Sequence, residues 1–233
     1  MTKTCFLHIG THKTGTTSIQ HFLGSNREAL RKLGVLVPSS GCLTPTTGQH
    51  NIPWQLYSDT RFQKDHGTLD DLCTEIQDSP CPVVIVSAED FEYLHPPEHN
   101  QARDFLKKSL EQADCQVEVV LFYRGYWSYL VSLYHELLKH GLDISFEEFR
   151  GEVAKEGSFR MRGEWLYSFD FRAIAAGFSQ TFGADHVHCE PYTYTNANII
   201  PRFWSLLGQI SEKVPVDLTG LIELDTWLNK SST

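Results

Sequence analysis

Apolar residues along this chain fall into short continuous runs separated by stretches of helical period. Cys5, Phe6, Leu7 and Ile9 have the length of a buried strand and predict one over about 4–9. Ile19, Phe22, Leu23, Ala29, Leu30 and Leu33 then recur at helical spacing, predicting a helix over about 16–32 with Gly34 as its C-cap. Val35 to Pro38 reads as a short strand. Residues 39–68 lose all periodicity and are rich in Ser, Thr, Gly, Pro and His, which predicts a long surface loop with a short helix near 54–61. A helix over 68–78 precedes the β-branched run VVIVS at 83–87, a central parallel strand. Next come a helix over 98–113, a strand over 116–123 and a helix over 127–140 ending at Gly141. A short helix over 146–150, a polar basic loop over 155–164 and a helix over 168–182 follow. A strand over 186–189, a helix over 197–208 and a weak helical segment over 221–228 complete the pattern.

Alternating strands and helices predict one α/β domain, a three-layer sandwich like that of P-loop nucleotide-binding proteins. Its mainly parallel central sheet carries helices on both faces. Ligands in such sheets bind at the carboxyl ends of the strands, where Gly10, Ser87 and Arg124 all fall. The length of 233 residues suits a single domain with a sizeable core. Residues 39–80 read as a variable insertion, and 212–233 as a tail.

The segment from Gly10 to Thr17, GTHKTGTT, carries the most specific chemistry. A strand, a glycine loop and a helix start make an anion cradle, because free N–H groups and the helix dipole point at the loop. The nucleotide-triphosphate loop has the pattern GxxxxGK(S/T), and both glycines fit. Thr16 stands where its lysine belongs, and the lysine is displaced to Lys13. Lys13 with the hydroxyls of Thr14, Thr16, Thr17 and Ser18 exceeds what helix capping needs.

Composition narrows the partners. With 20 basic against 29 acidic residues the net charge is −9, which argues against nucleic acid or an anionic membrane as partner and requires a local pocket for any anion. The six cysteines form no CxxC pair, and no signal peptide or spanning segment is visible, so a reduced cytoplasmic location is expected. No metal carboxylate site is evident.

A second motif follows the strand QVEVVLFY: Arg124, with Ser132 eight residues on. An arginine fork suits a dianionic phosphate, and a helical serine two turns in can add a donor from the same side. The KTGTT loop followed by this arginine–serine pair resembles the sulfotransferases that use 3′-phosphoadenosine 5′-phosphosulfate (PAPS). The family pattern has proline two residues after the arginine, where this chain has Tyr126. The resemblance is specific at 6–23 and 116–135 and weaker at 83–94 and in the C-terminal third, where the layout is similar to bacterial members; 39–80 and the tail have no counterpart, and acceptor specificity would be written there.

What the resemblance implies is transfer of a sulfuryl group from PAPS to a hydroxyl or amine of a small-molecule or glycan acceptor, leaving adenosine 3′,5′-bisphosphate. Arg124 and Ser132 would bind the 3′-phosphate. Lys13 and the amides of 14–18, including Gly15, would stabilise the leaving group, with Thr16 and Thr17 on the 5′-phosphate and His12 orienting the cofactor. Arg160 and Arg162 would close over it from the late basic loop. The acceptor needs a base. Glu89 in VSAEDF is the first candidate, with burial beside Phe91 expected to raise its pKa, and His50 in GQHNIPW is the second. His8 reads as structural, and His135 and His140 as solvent-facing beside Glu136 and Lys139. Two other classes stay open: an ATP-dependent P-loop kinase, with Asp90 as its metal carboxylate, and a nucleotide-binding module without catalysis.

Overall fold

Strand β1 (Lys3–His8) is buried from Thr4 onward, and its side chains alternate between two cores. Cys5 and Leu7 face one, and Phe6 faces the other. The computed structural model describes residues 2–43, 47–161, 165–193, 199–218 and 221. Its other strands are β2 (Val35–Leu36), β3 (Val83–Ser87), β4 (Cys115–Arg124), β5 (Ser158–Met161), β6 (Trp165–Ser168) and β7 (Val187–Tyr192). Five of these form a parallel sheet in the order β2-β3-β1-β4-β7, so the strand leading into the glycine loop is central.

Helices cover both faces, as the alternation predicts. Helices α1 (Thr16–Ser25) and α2 (Arg27–Lys32) lie on the Phe6 face, placing Ile19, Phe22 and Leu30 against Ile85 and Phe122. Next in the chain are α3 (Asn51–Leu56), α4 (Leu69–Asp78), α5 (Asn100–Gln112), α6 (Tyr126–Lys139), α7 (Phe146–Glu156), α8 (Phe171–Phe182) and α9 (Ile199–Ile210). Phe203 and Leu207 of α9 join the Phe6 face, while α4, α5 and α8 bury Leu72, Leu106 and Phe178 on the Leu7 face. A third cluster, Leu130, Leu133, Phe149, Val153, Phe159 and Tyr167, packs α6, α7 and the β5–β6 hairpin together.

Several boundaries differ from the sequence reading. The helix predicted over 16–32 breaks at Asn26, whose side-chain amide donates to the Phe22 carbonyl at 2.9 Å. The loop helix starts at Asn51 rather than 54, with Pro53 in its first turn, where no intrahelical N–H is needed. The helix expected over 146–150 runs to Glu156 because Ser145 and Glu148 form a capping box and Gly157 ends it at φ 66°. The polar loop expected over 155–164 contains β5, which pairs antiparallel with β6 and buries Phe159 and Met161. Helix α8 therefore starts at Phe171, where Asp170 Oδ1 accepts from the Arg172 N–H at 2.9 Å. The segment predicted over 221–228 lies outside the described residues, Leu221 excepted. No described helix is long and apolar enough to cross a membrane.

Candidate active site

The loop after β1 stays bonded to the sheet before it turns. The Ile9 and Thr11 N–H groups donate to Val120 and Phe122 carbonyls at 3.0 and 2.6 Å. Gly10 has φ +85°, and a Cβ on it would lie 2.8 Å from Glu89 Cβ, so glycine is what lets the loop rest on the residue after β3. Lys13 has φ 64° and Gly15, the N-cap of α1, φ +81°. The Arg124 Nη1 donates to the Lys13 carbonyl at 3.1 Å, and its Nε donates to Ser128 Oγ at 2.6 Å. The strand-end arginine thereby fixes the turn that presents the lysine. At the first turn of α1 the N–H groups of Thr16 and Thr17 have no carbonyl one turn back. Lys13 Nζ is paired with Glu136 Oε2 of α6 at 2.9 Å.

Across the loop stands a buried cluster of charges. Gln49 pairs with Ser87 at the end of β3: its N–H donates to the Ser87 carbonyl at 2.9 Å and its Oε1 accepts from the Ser87 N–H at 2.8 Å. That sets His50 beside Glu89 and Asp90. His50 Nε2 is 3.7 Å from Glu89 Oε2, and Nδ1 is 3.3 Å from Asp90 Oδ2. His12 Nε2 is 3.2 Å from Asp90 Oδ1. Its Nδ1 is 3.1 Å from Glu92 Oε1, an ion pair outside hydrogen-bond geometry. Both nitrogens of each imidazole thus lie near carboxylate oxygens, which favour the protonated ring, and the Tyr93 hydroxyl adds a contact to His12 Nε2 at 3.3 Å. Burial lowers the pKa of each ring, but the carboxylates outweigh it: Glu92 chiefly raises His12, well above the ordinary value, and Glu89 chiefly raises His50.

The carboxylates respond in the opposite sense. Burial pushes Glu89 up, yet the charges on His50 and His12 hold it below its ordinary value. That corrects the expectation of a raised Glu89, because the cluster supplies counterions that the sequence did not place there. Burial also pushes Asp90 up, and its bonds to His12 and His50 bring it far below the usual carboxylate range. Asp90 Oδ2 accepts from Trp54 Nε1 at 2.5 Å as well, so this carboxylate is fully engaged. Gln20 Nε2 of α1 donates to Glu89 Oε2 at 2.6 Å. Arg61 from the long loop pairs with Asp59 and lies over the rings of Trp54 and Trp165, 4.4 and 4.9 Å from their centroids.

Loop and cluster open into one cavity of about 1060 Å³. His12, Lys13, Gly15, Thr16, Thr17, His50, Glu89, Arg124 and Ser132 all line it. Thr14 and Ser18 do not: Thr14 is buried with its hydroxyl on the Thr11 carbonyl at 2.5 Å, and Ser18 Oγ is buried without a partner. Arg162 lies outside the described residues, and Arg160 is exposed on β5. His8 is buried in the sheet against Ser87 Oγ at 2.8 Å, and burial lowers its pKa to about 4, so it is neutral. His135 and His140 are exposed, as expected, but they line the cavity's open side, and Glu136 between them turns inward to Lys13.

Gln20, Gln49, Trp54, Arg61, Ser128 and Glu136 escaped the sequence reading. Ser128, one turn after Arg124 on the following helix, carried a usable spacing signal; the others meet the site only through the fold. A lysine, a guanidinium and free helix-start amides around one cavity suit a donor with two separate phosphate groups. The donor set therefore fits a ligand carrying two phosphates, as an adenosine bisphosphate does.

The sequence matches no family model and no curated protein. The fold is similar to the crystal structure of a sulfotransferase from Alicyclobacillus acidocaldarius, with TM-score 0.50 and 15% identity, over 99% of this chain and 88% of that one. Mouse sulfotransferase SULT7A1 complexed with PAP is also similar, with TM-score 0.46 and 14% identity, over 93% of this chain and 60% of that one. The chain is therefore sulfotransferase-like in its fold, an α/β sandwich around a parallel five-stranded sheet.

Proposed function

We propose that the chain is a PAPS-dependent sulfotransferase acting on a small-molecule or glycan acceptor. The observation that carries this reading is the convergence of the Lys13 loop, Arg124 and the Glu89 cluster on one cavity. PAPS, when bound, supplies an activated sulfuryl group and an adenosine bisphosphate leaving group. Arg124 and Ser132 hold the 3′-phosphate, and the α1 amides with Thr16 and Thr17 hold the 5′ end. Lys13 places its positive charge where the leaving oxygen gains negative charge. Glu89 takes the proton of the acceptor hydroxyl or amine. Its lowered pKa keeps it ionised at neutral pH, and Gln20 and His50 fix its orientation. His50, its pKa raised by Glu89 and Asp90, positions Glu89 rather than acting as the base. His12 is held by Asp90 and Glu92 and shapes the loop from behind. Residues 39–80 supply His50, Trp54 and Arg61 to the cavity wall, and so bear on acceptor choice. The kinase reading is disfavoured because Asp90, its metal carboxylate, is taken up by His12, His50 and Trp54.

The test is PAPS-dependent sulfation of an acceptor library read by mass spectrometry. The account expects sulfated product that falls by about 100-fold or more in Lys13→Ala and in Glu89→Gln, with folding retained. Phosphorylated product from ATP would instead establish the kinase. Adenosine bisphosphate binding with no acceptor modified would leave a non-catalytic module.

A further inference from the structure

The cavity has an anion of its own at the place where the donor's charge must go. Glu136 Oε2 accepts from Lys13 Nζ at 2.9 Å, although the two residues are 123 positions apart. The same oxygen accepts from Lys139 Nζ at 3.0 Å, and Oε1 lies 3.6 Å from His140 Nε2. Lys139, the last residue of α6, and His140, which caps it, are three and four residues further on, so both come round to the side of Glu136. The backbone of Lys13 is fixed by Arg124 and by its left-handed turn, whereas its side chain spans the cavity to reach α6. Glu136 and Lys13 are each 29% exposed, so their attraction is only partly screened.

We propose that Glu136 is a positioning residue for Lys13: it holds the ammonium group aimed across the cavity until an anionic donor competes for it, then falls back on Lys139 and His140. This inference rests on the sulfotransferase reading of the site. The geometry has the parts of a two-position device, one ammonium with two possible anions and one carboxylate with two sets of cations. Lys139 is 70% exposed and bonded to Glu136 already, so no rearrangement of α6 is needed when Lys13 leaves. Glu136 is ionised throughout the physiological range, since burial raises its pKa but the Lys13 and Lys139 contacts bring it down to about 2. Its charge is therefore always present to oppose a donor phosphate. Donor binding is weaker than the cradle alone would give, and Lys13 is kept from wandering into solvent.

The experiment is calorimetric titration of adenosine 3′,5′-bisphosphate into the wild type, Glu136→Gln, Lys139→Gln and the double variant, with thermal unfolding confirming that each is folded. Glu136→Gln should tighten binding by about threefold to tenfold, the range of a partly exposed ion pair. Lys139→Gln should weaken binding by about threefold in the wild type, by removing the fallback partner, and change nothing in the Glu136→Gln background. Unchanged or weaker binding in Glu136→Gln overturns the placeholder role. So does an equal loss from Lys139→Gln in both backgrounds, which would make Lys139 a direct phosphate ligand. If the bisphosphate binds none of the four proteins, the sulfotransferase reading itself falls and takes this role with it.

Discussion

His12 is placed with one nitrogen toward Asp90 and the other toward Glu92, and this single ring ties pH to stability. Its folded pKa lies above the ordinary 6.5, so its contribution is fully present below about that pH and is lost as pH rises through the raised value. Asp90 runs the other way: its folded pKa is depressed below 3.8, so its contribution holds above that value and is lost as pH falls through the folded pKa. Thermal unfolding across pH should therefore show greatest stability in the mildly acidic range, with a decline on the alkaline side. His12→Gln should flatten the alkaline decline and cost about 3 kcal/mol at its optimum, since it strips counterions from two buried carboxylates. An alkaline limb unchanged by that substitution would contradict the assignment. At this scale the sequence was most legible at strand ends. Lys13 and Glu89 follow β1 and β3, and Arg124 ends β4, so their meeting at one cavity could be expected from strand order, and His50 was singled out only as the histidine of a long loop. Gln20 and Glu136 were not, because each meets its partner, Glu89 or Lys13, only once α1 and α6 are laid on the sheet.

Among the elements, the 3-10 helix Glu89–Leu94 sets the cluster, and its position depends on what packs behind it. Buried Arg103 of α5 donates to the Leu94 carbonyl at its end and to the Pro96 carbonyl just beyond it. Helix α8 comes so close that a Cβ on Gly177 would lie 2.3 Å from the His95 carbonyl oxygen. Helix propensity alone says Gly177→Ala gains about 1 kcal/mol. Contact with a backbone oxygen should outweigh it, giving a net loss of about 2 kcal/mol in denaturant unfolding and reduced turnover as Glu89 shifts. A more stable, equally active variant would show that the segment yields freely. The strands of the parallel sheet and the helices α5, α6 and α8 were legible here because their apolar residues keep one period throughout. The β5–β6 hairpin was not, since the alternation in KEGSFRMRGE is only two apolar residues long, and its apolar face, Phe159 and Met161, is completed by α6 and α7. The capping box at Ser145 and Glu148 was present in the sequence and went unread.

Taken as a whole, the molecule places Lys13, Arg124 and the start of α1 on one edge of an otherwise acidic chain. The net charge of −9 offers no general attraction for an anion, so recognition must come from the few cations that topology gathers. Placing β1 between β3 and β4 does that, since one loop then touches both Glu89, just beyond β3, and Arg124 at the end of β4. The overall architecture was legible from alternation alone, whereas the cavity's wall was not, because Trp54, Arg61 and Trp165 come from segments without a periodic signature. The most direct test of the account is titration of the intact chain with adenosine 3′,5′-bisphosphate without metal, and separately with ATP plus magnesium. The account predicts metal-free binding of the bisphosphate that weakens at least about tenfold in Arg124→Ala, the loss of one charge-assisted phosphate contact. Binding of ATP with magnesium alone, untouched by Arg124→Ala, would contradict it.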